Sequence, residues 1–437
     1  MSEANRPQGP LTSMPVPADR HYRLKMGHNV LINSDPRRSG VVGAVIGYSA
    51  LLGASVVLVA LIYAGLPWLL NAVFGEGTFW YTALLGIIGP VLAFLFVAVV
   101  ALILILMLRK YLGKVQNRYG PLHNGPSGAF QTVFDALKLL SKEDFEPAGV
   151  ESTIFTLAPA LVFVSAFILM AVIPFAPGWV FANVETGALF IIAAGTLGSY
   201  GTLLAGWSMN NKFGLLGGLR AAAQLVSYEV PLSLALLSVA VFSGTMNLTG
   251  IVESQLRLWN FIPMFIPFVV YLIAGLAEIK MTPFDLPEAE SELVAGFNTE
   301  YSGMRFGFFF VAEFAELFLL PAILVVFFLG GWHAPVIPWP NEAGFLELVF
   351  KANVSDPALA TTFWERAFGP GGFFLNLQYS VWFLFKSSLG VYFYLWIRAT
   401  LPRFRDDQLM ELCWKFLIPL SVLGLLIAVV FRLIRIG

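Results

Sequence analysis

Six carboxylates lie in one short stretch of the chain, AEIKMTPFDLPEAESELVAGFNTEYSGM, which runs from Ala277 to Met304 between two long apolar segments. They are Glu278, Asp285, Glu288, Glu290, Glu292 and Glu300. A carboxyl group beside an apolar phase can take up or release a proton when its surroundings change, because a low dielectric favours its neutral form. The cluster therefore indicates proton transfer. For Glu288 and Glu292, four residues apart, a solvated helix face is the plainer interpretation.

A second group of acids lies within or at the ends of the apolar segments. Its members are Glu229, Glu278, Glu313 and Glu316. A charge at the centre of a bilayer costs at least ~2.5–3.5 kcal/mol, so such groups are usually buried in protein or face water. Glu313 and Glu316 are three residues apart and share a helix face. Pro231, two positions after Glu229, removes a backbone donor and can admit water. We predict that these acids form a proton path.

A lysine also lies inside an apolar segment. No topological rule requires Lys386 in the middle of its segment, so we place it on the proton path and expect it to pair with an acid there. The alternative is that the buried acids only hold helices together, through Lys386 or through the flanking arginines.

The elements that must position these groups are membrane-spanning helices. The chain has 437 residues, of which 58% are hydrophobic and 12% are charged, whereas soluble domains carry about 25% charged residues. Apolar segments of roughly the length that crosses a bilayer recur along it. Nine spans are predicted, at residues 41–70, 79–108, 152–174, 187–207, 219–244, 259–281, 306–330, 376–397 and 412–431. The predicted fold class is an all-α polytopic membrane protein.

The regions outside the spans differ in character. Residues 1–40 are polar and lack the apolar core of a signal peptide, so they predict a flexible tail. Within the loop 109–151, apolar residues recur at helical spacing over 128–142, which predicts an amphipathic helix in the membrane interface.

The distribution of Lys and Arg predicts the orientation. If the tail is cytoplasmic, the great majority of these residues lie on the cytoplasmic side, as expected for a multi-pass protein. The acidic loop 282–305 then faces the cytoplasm. The loop 331–375, rich in Pro, Gly and Trp, lies on the opposite side.

Residues that could hold a prosthetic group are scarce. Cys413 is the only cysteine, and none of the four histidines lies inside an apolar span, so iron–sulfur and haem ligation are not expected. No phosphate-binding glycine motif occurs. A net charge of −1 indicates no nucleic acid or other polyanionic partner. We expect no flavin, haem, metal or iron–sulfur cluster in this chain.

Four ordered blocks resemble one family. The block AEIKMTPFDLPEAESELVAGFNTEYSGMRFGFFFVAEF is similar to the quinone-site membrane subunit of respiratory complex I, called subunit 1 in mitochondria and the H subunit in bacterial NADH–quinone oxidoreductase. Three further blocks agree: GPLHNGPSGAFQTVFDALKLLSKEDFEP, GWSMNNKFGLLGGLRAAAQLVSYEVPL and WIRATLPRFRDDQLMELCWKFLIPL. Together they extend from about Leu108 to the C-terminus.

The resemblance implies eight tilted helices that join a hydrophilic arm to a proton-pumping membrane arm, so the span 41–70 is an addition before a family domain at 79–437. It implies a chamber for a quinone, bound at the interface with hydrophilic-arm subunits. It further implies that the redox centres lie in those partners and that this chain is not catalytic alone. Small membrane-arm subunits and lipids are the other expected partners. The implied location is the cytoplasmic membrane of a bacterium.

The resemblance also assigns residues. The acid chain of the family maps onto Asp135, Glu229, Glu278, Asp285, Glu288, Glu290, Glu292, Glu300 and Glu313. Further expected residues of the quinone loop and chamber are Phe284, Phe297, Tyr301, Lys280, Arg305, Arg109 and Arg118. For Arg109 and Arg118, membrane anchoring and lipid contact are the plainer role.

Three positions depart from the family pattern. Leu108 stands where an acid is usual, Leu122 where an Asn is usual, and Asp406 where a Tyr is usual. Two other functions stay open from the residues. One is the membrane anchor of a related hydrogenase, formate hydrogenlyase or deazaflavin-linked dehydrogenase complex. The other is an independent ion-coupled transporter, although the internal symmetry common in such carriers is not evident.

Overall fold

The computed structural model describes residues 79–125, 128–177, 179–256, 258–333 and 373–436. In these ranges the chain is all-helical, without strands. In chain order the helices are α1 (Phe79–Val115), α2 (Gln131–Ser141), α3 (Ser152–Val172), α4 (Gly187–Ser208), α5 (Lys212–Ser243), α6 (Leu248–Glu253), α7 (Phe265–Glu278), α8 (Glu290–Leu293), α9 (Gly303–Phe328), α10 (Phe373–Thr400), α11 (Asp406–Glu411) and α12 (Ile418–Ile436). The predicted tail 1–40, the span 41–70 and most of the loop 331–375 lie outside the described residues.

Seven described helical segments are long and apolar enough to cross a membrane: α1, α3, α4, α5, α9, α10 and the continuous segment from α11 to α12. The shorter apolar helix α7 occupies the place of the remaining predicted span. The prediction of an all-helical polytopic membrane protein is confirmed. Two predicted boundaries were short, because α1 continues to Val115 and α5 begins at Lys212.

The helix α7 is shorter than the predicted span 259–281 because the first residues of that span form turns and not a helix. Residues 260–264 form turns, and the side chains of Asn260 and of Gln255 just before this segment bind the last carbonyls of α9. Gln255 Nε2 donates to Val326 O at 2.8 Å, and Asn260 Nδ2 donates to Phe327 O at 2.9 Å. These bonds satisfy backbone acceptors that a helix end leaves free.

The helix α9 lies at the centre of the described fold. It is the most buried of the spans and packs against α1, α3 and α10. The helices α3, α4, α5 and α7 pack side by side in that order, and α12, the least buried span, packs on α5 and α7. The segment between α7 and α9, which contains the acidic loop, therefore has α4 and α5 beside it.

The acidic loop is attached to α5 by polar and close backbone contacts. Gln224 Nε2 donates to Ala277 O at 2.7 Å and to Phe284 O at 2.9 Å. Gly296 has a φ of 53°, and its backbone lies against Gly217, where a Cβ would come within 2.7 Å of Gly296 Cα. Glycine at these positions lets the two backbones approach and allows the left-handed conformation.

The first loop contains the predicted amphipathic helix as α2. Its apolar side chains Val133, Phe134, Leu137 and Leu140 are exposed, and the helix packs on α1 and α9. An exposed apolar face of this kind is typical of a helix that lies in a membrane interface.

Candidate functional site

A cavity of about 40 Å³ lies among α3, α4, α5, α7 and α9. Three of its lining residues are acids from different helices: Glu229 of α5, Glu278 of α7 and Glu316 of α9. Most of the other lining residues are apolar. A water molecule needs roughly 10–15 Å³ of such space, so the cavity has room for water beside the three acids. Three of the four acids predicted at membrane depth thus share one enclosure.

Each acid of the cavity has a distinct environment. Glu229 Oε1 accepts a hydrogen bond from Thr196 Oγ1 of α4. Glu278 is the last residue of α7, and its Oε2 is buried with no hydrogen-bond partner among the described residues. Glu316 and Glu229 repel the charged form of Glu278, whereas Lys280 attracts it. A water molecule in the cavity would satisfy this oxygen.

Glu313 connects the cavity region to the acidic loop. It lies three residues before Glu316 on α9, and like-charge repulsion links the two carboxylates. It also interacts electrostatically with Glu288 and Asp285 of the loop. Its basic neighbour is Arg398, with 3.9 Å between Nη1 and Oε1. Glu313 therefore interacts with acids of the loop and with Glu316, which lines the cavity.

Two loop acids interact with Glu313. Asp285 Oδ2 forms an ion pair with Arg403 Nη2 at 2.9 Å. Glu288 Oε1 accepts a hydrogen bond from Asn298 Nδ2 at 2.8 Å. Burial raises the pKa of Glu288 to about 7, with a further increase from Asp285, while Lys280, Arg398 and the bond from Asn298 oppose the shift. A carboxyl group with this pKa changes charge near neutral pH.

The remaining loop acids are in other contacts. Glu292 is exposed, and its Oε2 accepts from Arg220 Nη1 at 2.6 Å; this hydrogen bond lowers the pKa of Glu292. Arg220 also pairs with Asp406 at 3.2 Å, one of the three residues expected from the sequence to depart from the family pattern. Glu300 accepts from Asn211 Nδ2 at 2.7 Å. Glu290 begins α8, and its side chain is outside the described part of the structure.

The basic and acidic residues of the first loop form their own pairs. Arg109 Nη1 lies 2.5 Å from Asp135 Oδ2, which joins the end of α1 to α2. Arg118 is exposed and donates to Gln116 at 2.6 Å. Arg305, at the start of α9, pairs with the first loop through Asp144 at 3.1 Å and Glu146 at 2.6 Å. Asp135 is thus attached to the first loop and not to the cavity.

The three aromatic residues expected beside the quinone are buried within the loop. Phe284 is 4% exposed, Phe297 3% and Tyr301 6%. The Tyr301 ring stacks on Phe155 with 4.2 Å between centroids, and burial raises the pKa of Tyr301 to about 12. Lys280 Nζ lies 5.6 Å from the centre of the Phe297 ring. These rings determine the shape of the loop from inside, and their contact with a quinone stays a prediction.

Lys386 lies at the far end of α9 from the acidic loop. Its Nζ donates to Leu329 O at 2.7 Å and to His333 O at 2.9 Å, and it lies 4.9 Å from the centre of the Trp259 ring. The acceptors of Lys386 in the described ranges are carbonyl oxygens, so the expected pairing with an acid is not found there. The physical reason is that the end of α9 exposes backbone acceptors that can bind an ammonium group.

Sequence inspection missed two polar residues of the site. Thr196 of α4 binds Glu229, and Tyr271 of α7 lines the cavity and donates to Leu320 O at 3.0 Å. Both lie inside apolar runs of the sequence. The sequence signal that could have identified Thr196 and Tyr271 was a polar side chain within an apolar run. No group of metal-ligating residues is found in the described ranges.

The fold and the site together define a class: a polytopic, all-helical membrane protein with an internal acid cluster that begins at a structured acidic loop. The chain belongs to the NADH dehydrogenase family, whose model matches residues 88–429. The resemblance predicted from the four blocks is confirmed.

Three relatives illustrate this membership, each described as the H subunit of an NADH-quinone oxidoreductase. The protein of Brevibacillus brevis is 41% identical over 362 residues, which cover 83% of this chain and 97% of the relative. That of a Geobacillus species is 42% identical over 355 residues, with 80% and 96% covered. That of Frankia alni is 40% identical over 370 residues, with 82% and 74% covered. The hydrogenase-type and transporter alternatives are not favoured by these relatives.

Proposed function

We propose that this chain is the H-type membrane subunit of a proton-pumping NADH–quinone oxidoreductase. It forms part of the quinone-access chamber and links quinone reduction to proton translocation. It is a subunit of the enzyme and is not catalytic alone, because the electron carriers lie in partner subunits. The partners are the other complex I subunits, with the hydrophilic-arm quinone module at the acidic loop, small membrane-arm subunits beside the spans, and membrane lipids.

The proton path begins at the acidic loop and continues to the cavity. Quinone reduction draws protons and changes the charge near Asp285 and Glu288. Their field acts on Glu313, which interacts with Glu316, and Glu316 shares the cavity with Glu278 and Glu229. Each step joins neighbouring carboxylates, so a charge change at one end biases the protonation of the next.

The quinone is the substrate of the loop region. The chamber is bordered by the acidic loop and the first loop, with Asp285, Glu288, Glu290, Glu292 and Glu300 as its acids and with Phe284, Phe297, Tyr301, Lys280, Arg305, Arg109 and Arg118 as further members. The pairs of Arg305 with Asp144 and Glu146 support this arrangement, because they hold the two loops together. Asp135 and Lys386 complete the proposed set of proton-path residues.

The proposed domain arrangement follows the positive-inside rule. The tail 1–40 and the loops 109–151 and 282–305 lie in the cytoplasm, and the loop 331–375 lies on the other side. The span 41–70 is an additional helix before the family domain at 79–437. The protein lies in the cytoplasmic membrane of a bacterium.

The observation that carries this function is the cavity that joins Glu229, Glu278 and Glu316. The test begins with purification of the tagged chain from its native membrane. We expect flavin- and iron–sulfur-containing subunits to copurify, and the complex to reduce a quinone with NADH and to pump protons in vesicles. A chain that purifies alone, or a complex without NADH–quinone reductase activity, would overturn the proposal.

A further inference from the structure

Among the arginines that the structure describes, Arg398 forms an unusually long ion pair. Its Nη1 lies 3.9 Å from Glu313 Oε1, beyond hydrogen-bond distance. By contrast, Arg403 lies 2.9 Å from Asp285 and Arg220 lies 2.6 Å from Glu292. Arg398 is close enough to Glu313 to interact with its charge, but it has not formed the hydrogen bond that would hold it there.

The same atom of Arg398 is buried and has no hydrogen-bond partner among the described residues. A buried charged donor without an acceptor is costly, because desolvation of the charge is not compensated. The cost falls if the guanidinium has a second position in which that donor is satisfied. The side chains of Arg398 and Glu313 are 27% and 21% exposed, so both are largely screened from water.

Two carboxylates lie within the electrostatic range of this arginine. Arg398 attracts the charge of Glu313 on α9 and the charge of Glu288 in the acidic loop. Glu288 and Glu313 in turn repel each other. The other charged groups facing the pair are Lys280, Asp285 and Glu316.

The backbone around Arg398 is attached to the base of the loop. Arg398 O accepts from Thr282 Oγ1 at 3.1 Å, and Phe404 N donates to Pro283 O at 3.0 Å. Because the backbone is held at both points, a change of partner requires movement of the Arg398 side chain and not of α10 or the loop.

We propose that Arg398 is a positioning residue that moves between Glu288 and Glu313, so that it pairs with one of the two carboxylates at a time. The inference rests on the proposed function of these acids. When the loop is charged, the guanidinium is held at Glu288 and Glu313 is left to bind a proton. When Glu288 is neutral, the guanidinium moves to Glu313 and stabilises its charge. Arg398 thereby converts a charge change in the loop into the opposite charge change in the membrane.

The decisive test is structural and keeps Arg398 in place. Intact complexes carrying Glu288→Gln or Glu313→Gln are compared by single-particle electron microscopy. In the Glu288→Gln complex we expect the distance to Glu313 to shorten from 3.9 Å to ~2.8 Å, the usual length of a charge-assisted bond. In the Glu313→Gln complex we expect the guanidinium at Glu288. The same guanidinium position in both complexes would overturn the proposal.

A functional test separates the switch from the proposed function. We expect Arg398→Gln to lose proton pumping per electron, and Arg398→Lys to recover part of it, since lysine keeps the charge but not the forked geometry. Lys415→Gln is the control, because its exposed pair with Glu411 contributes little. Unchanged pumping per electron in Arg398→Gln would contradict the switch but not the proposed function. A wild-type complex that reduces no quinone contradicts the proposed function itself.

Discussion

The thiol of Cys413 donates a hydrogen bond of 2.9 Å to the backbone oxygen of Ser227. Ser227 lies four residues before Pro231, which is inside α5 and has no N–H group for that oxygen. Cys413 belongs to a π-helical turn between α11 and α12, and it supplies the missing donor. A second bond, from Tyr228 Oη to Leu409 O at 2.9 Å, lies beside it. The last span is thus bonded to α5 at the turn that carries the first acid of the cavity.

Replacement of Cys413 should test this contact. We expect Cys413→Ala to reduce stability by ~1 kcal/mol, because a buried carbonyl loses its donor and a small void remains. Cys413→Ser, which keeps a donor, should be less destabilising. The measurement is the midpoint of thermal inactivation of the purified complex. Equal shifts in the two variants would show that the hydrogen bond does not matter.

Glu278 is the acid whose removal should affect proton pumping most directly. We expect Glu278→Gln to lower the pumping rate about 10- to 100-fold, since removal of a group that transfers protons costs up to orders of magnitude in rate. The amide has nearly the same size, so assembly should be retained. The measurement is NADH-driven acidification of vesicles that contain the complex.

Glu253→Gln is the matched control for this variant. Glu253 ends α6 and is exposed away from the cavity, so we expect pumping at the wild-type rate. If Glu278→Gln pumps as fast as Glu253→Gln, Glu278 is not on the path.

The helical class and most span positions could be predicted from the sequence, because bilayer thickness imposes the length of an apolar run. The start of α7 could not be predicted from the sequence. Residues 259–264 are mostly apolar and continue the apolar run of the helix that follows, yet most of them form turns, and Asn260 among them binds the end of α9. That choice depends on which carbonyls of another helix are left without partners, and one segment of sequence does not contain this information.

The sequence predicted which residues form the candidate site better than it predicted the contacts that these residues make. Glu229, Glu278 and Glu316 share a cavity because α5, α7 and α9 each contribute one of them to its lining, but the position of each acid in the sequence did not show which neighbours it would have. Lys386 is the clearest example. Its position inside a span predicted an acidic partner, whereas the described structure shows two carbonyl acceptors. A buried ammonium group can be satisfied by either.

The close approach of Gly217 and Gly296 should control the position of the acidic loop. A Cβ at residue 217 would lie 2.7 Å from Gly296 Cα, so Gly217→Ala must displace the loop from α5. We expect a cost of ~1–3 kcal/mol in loop docking, as for other overpacked sites. Faster hydrogen exchange across 282–305 and slower quinone reduction are the expected results.

Gly307→Ala is the control for this substitution. Its Cβ would meet Met304 Sδ at 3.4 Å and Leu139 at 3.5 Å, which are ordinary contacts, and alanine favours the helix α9. We expect exchange in the loop to be unchanged. Equal exchange in the Gly217→Ala and wild-type loops would mean that the glycine contact does not hold the loop.

Docking of the acidic loop should weaken as the pH rises through about 7. Burial raises the pKa of Glu288 from 4.5 to about 7, so the docked loop binds more protons than the released loop between these values. The stabilisation is therefore complete below the lower value and is lost as the pH passes the upper one.

Hydrogen exchange of the loop, corrected for its intrinsic pH dependence, should accelerate across this window in the wild type and not in Glu288→Gln. In Glu292→Gln the acceleration should persist, because Arg220 lowers the pKa of Glu292 and its contribution is lost only toward acid pH. Wild-type exchange that is equally slow on both sides of pH 7 would contradict this assignment.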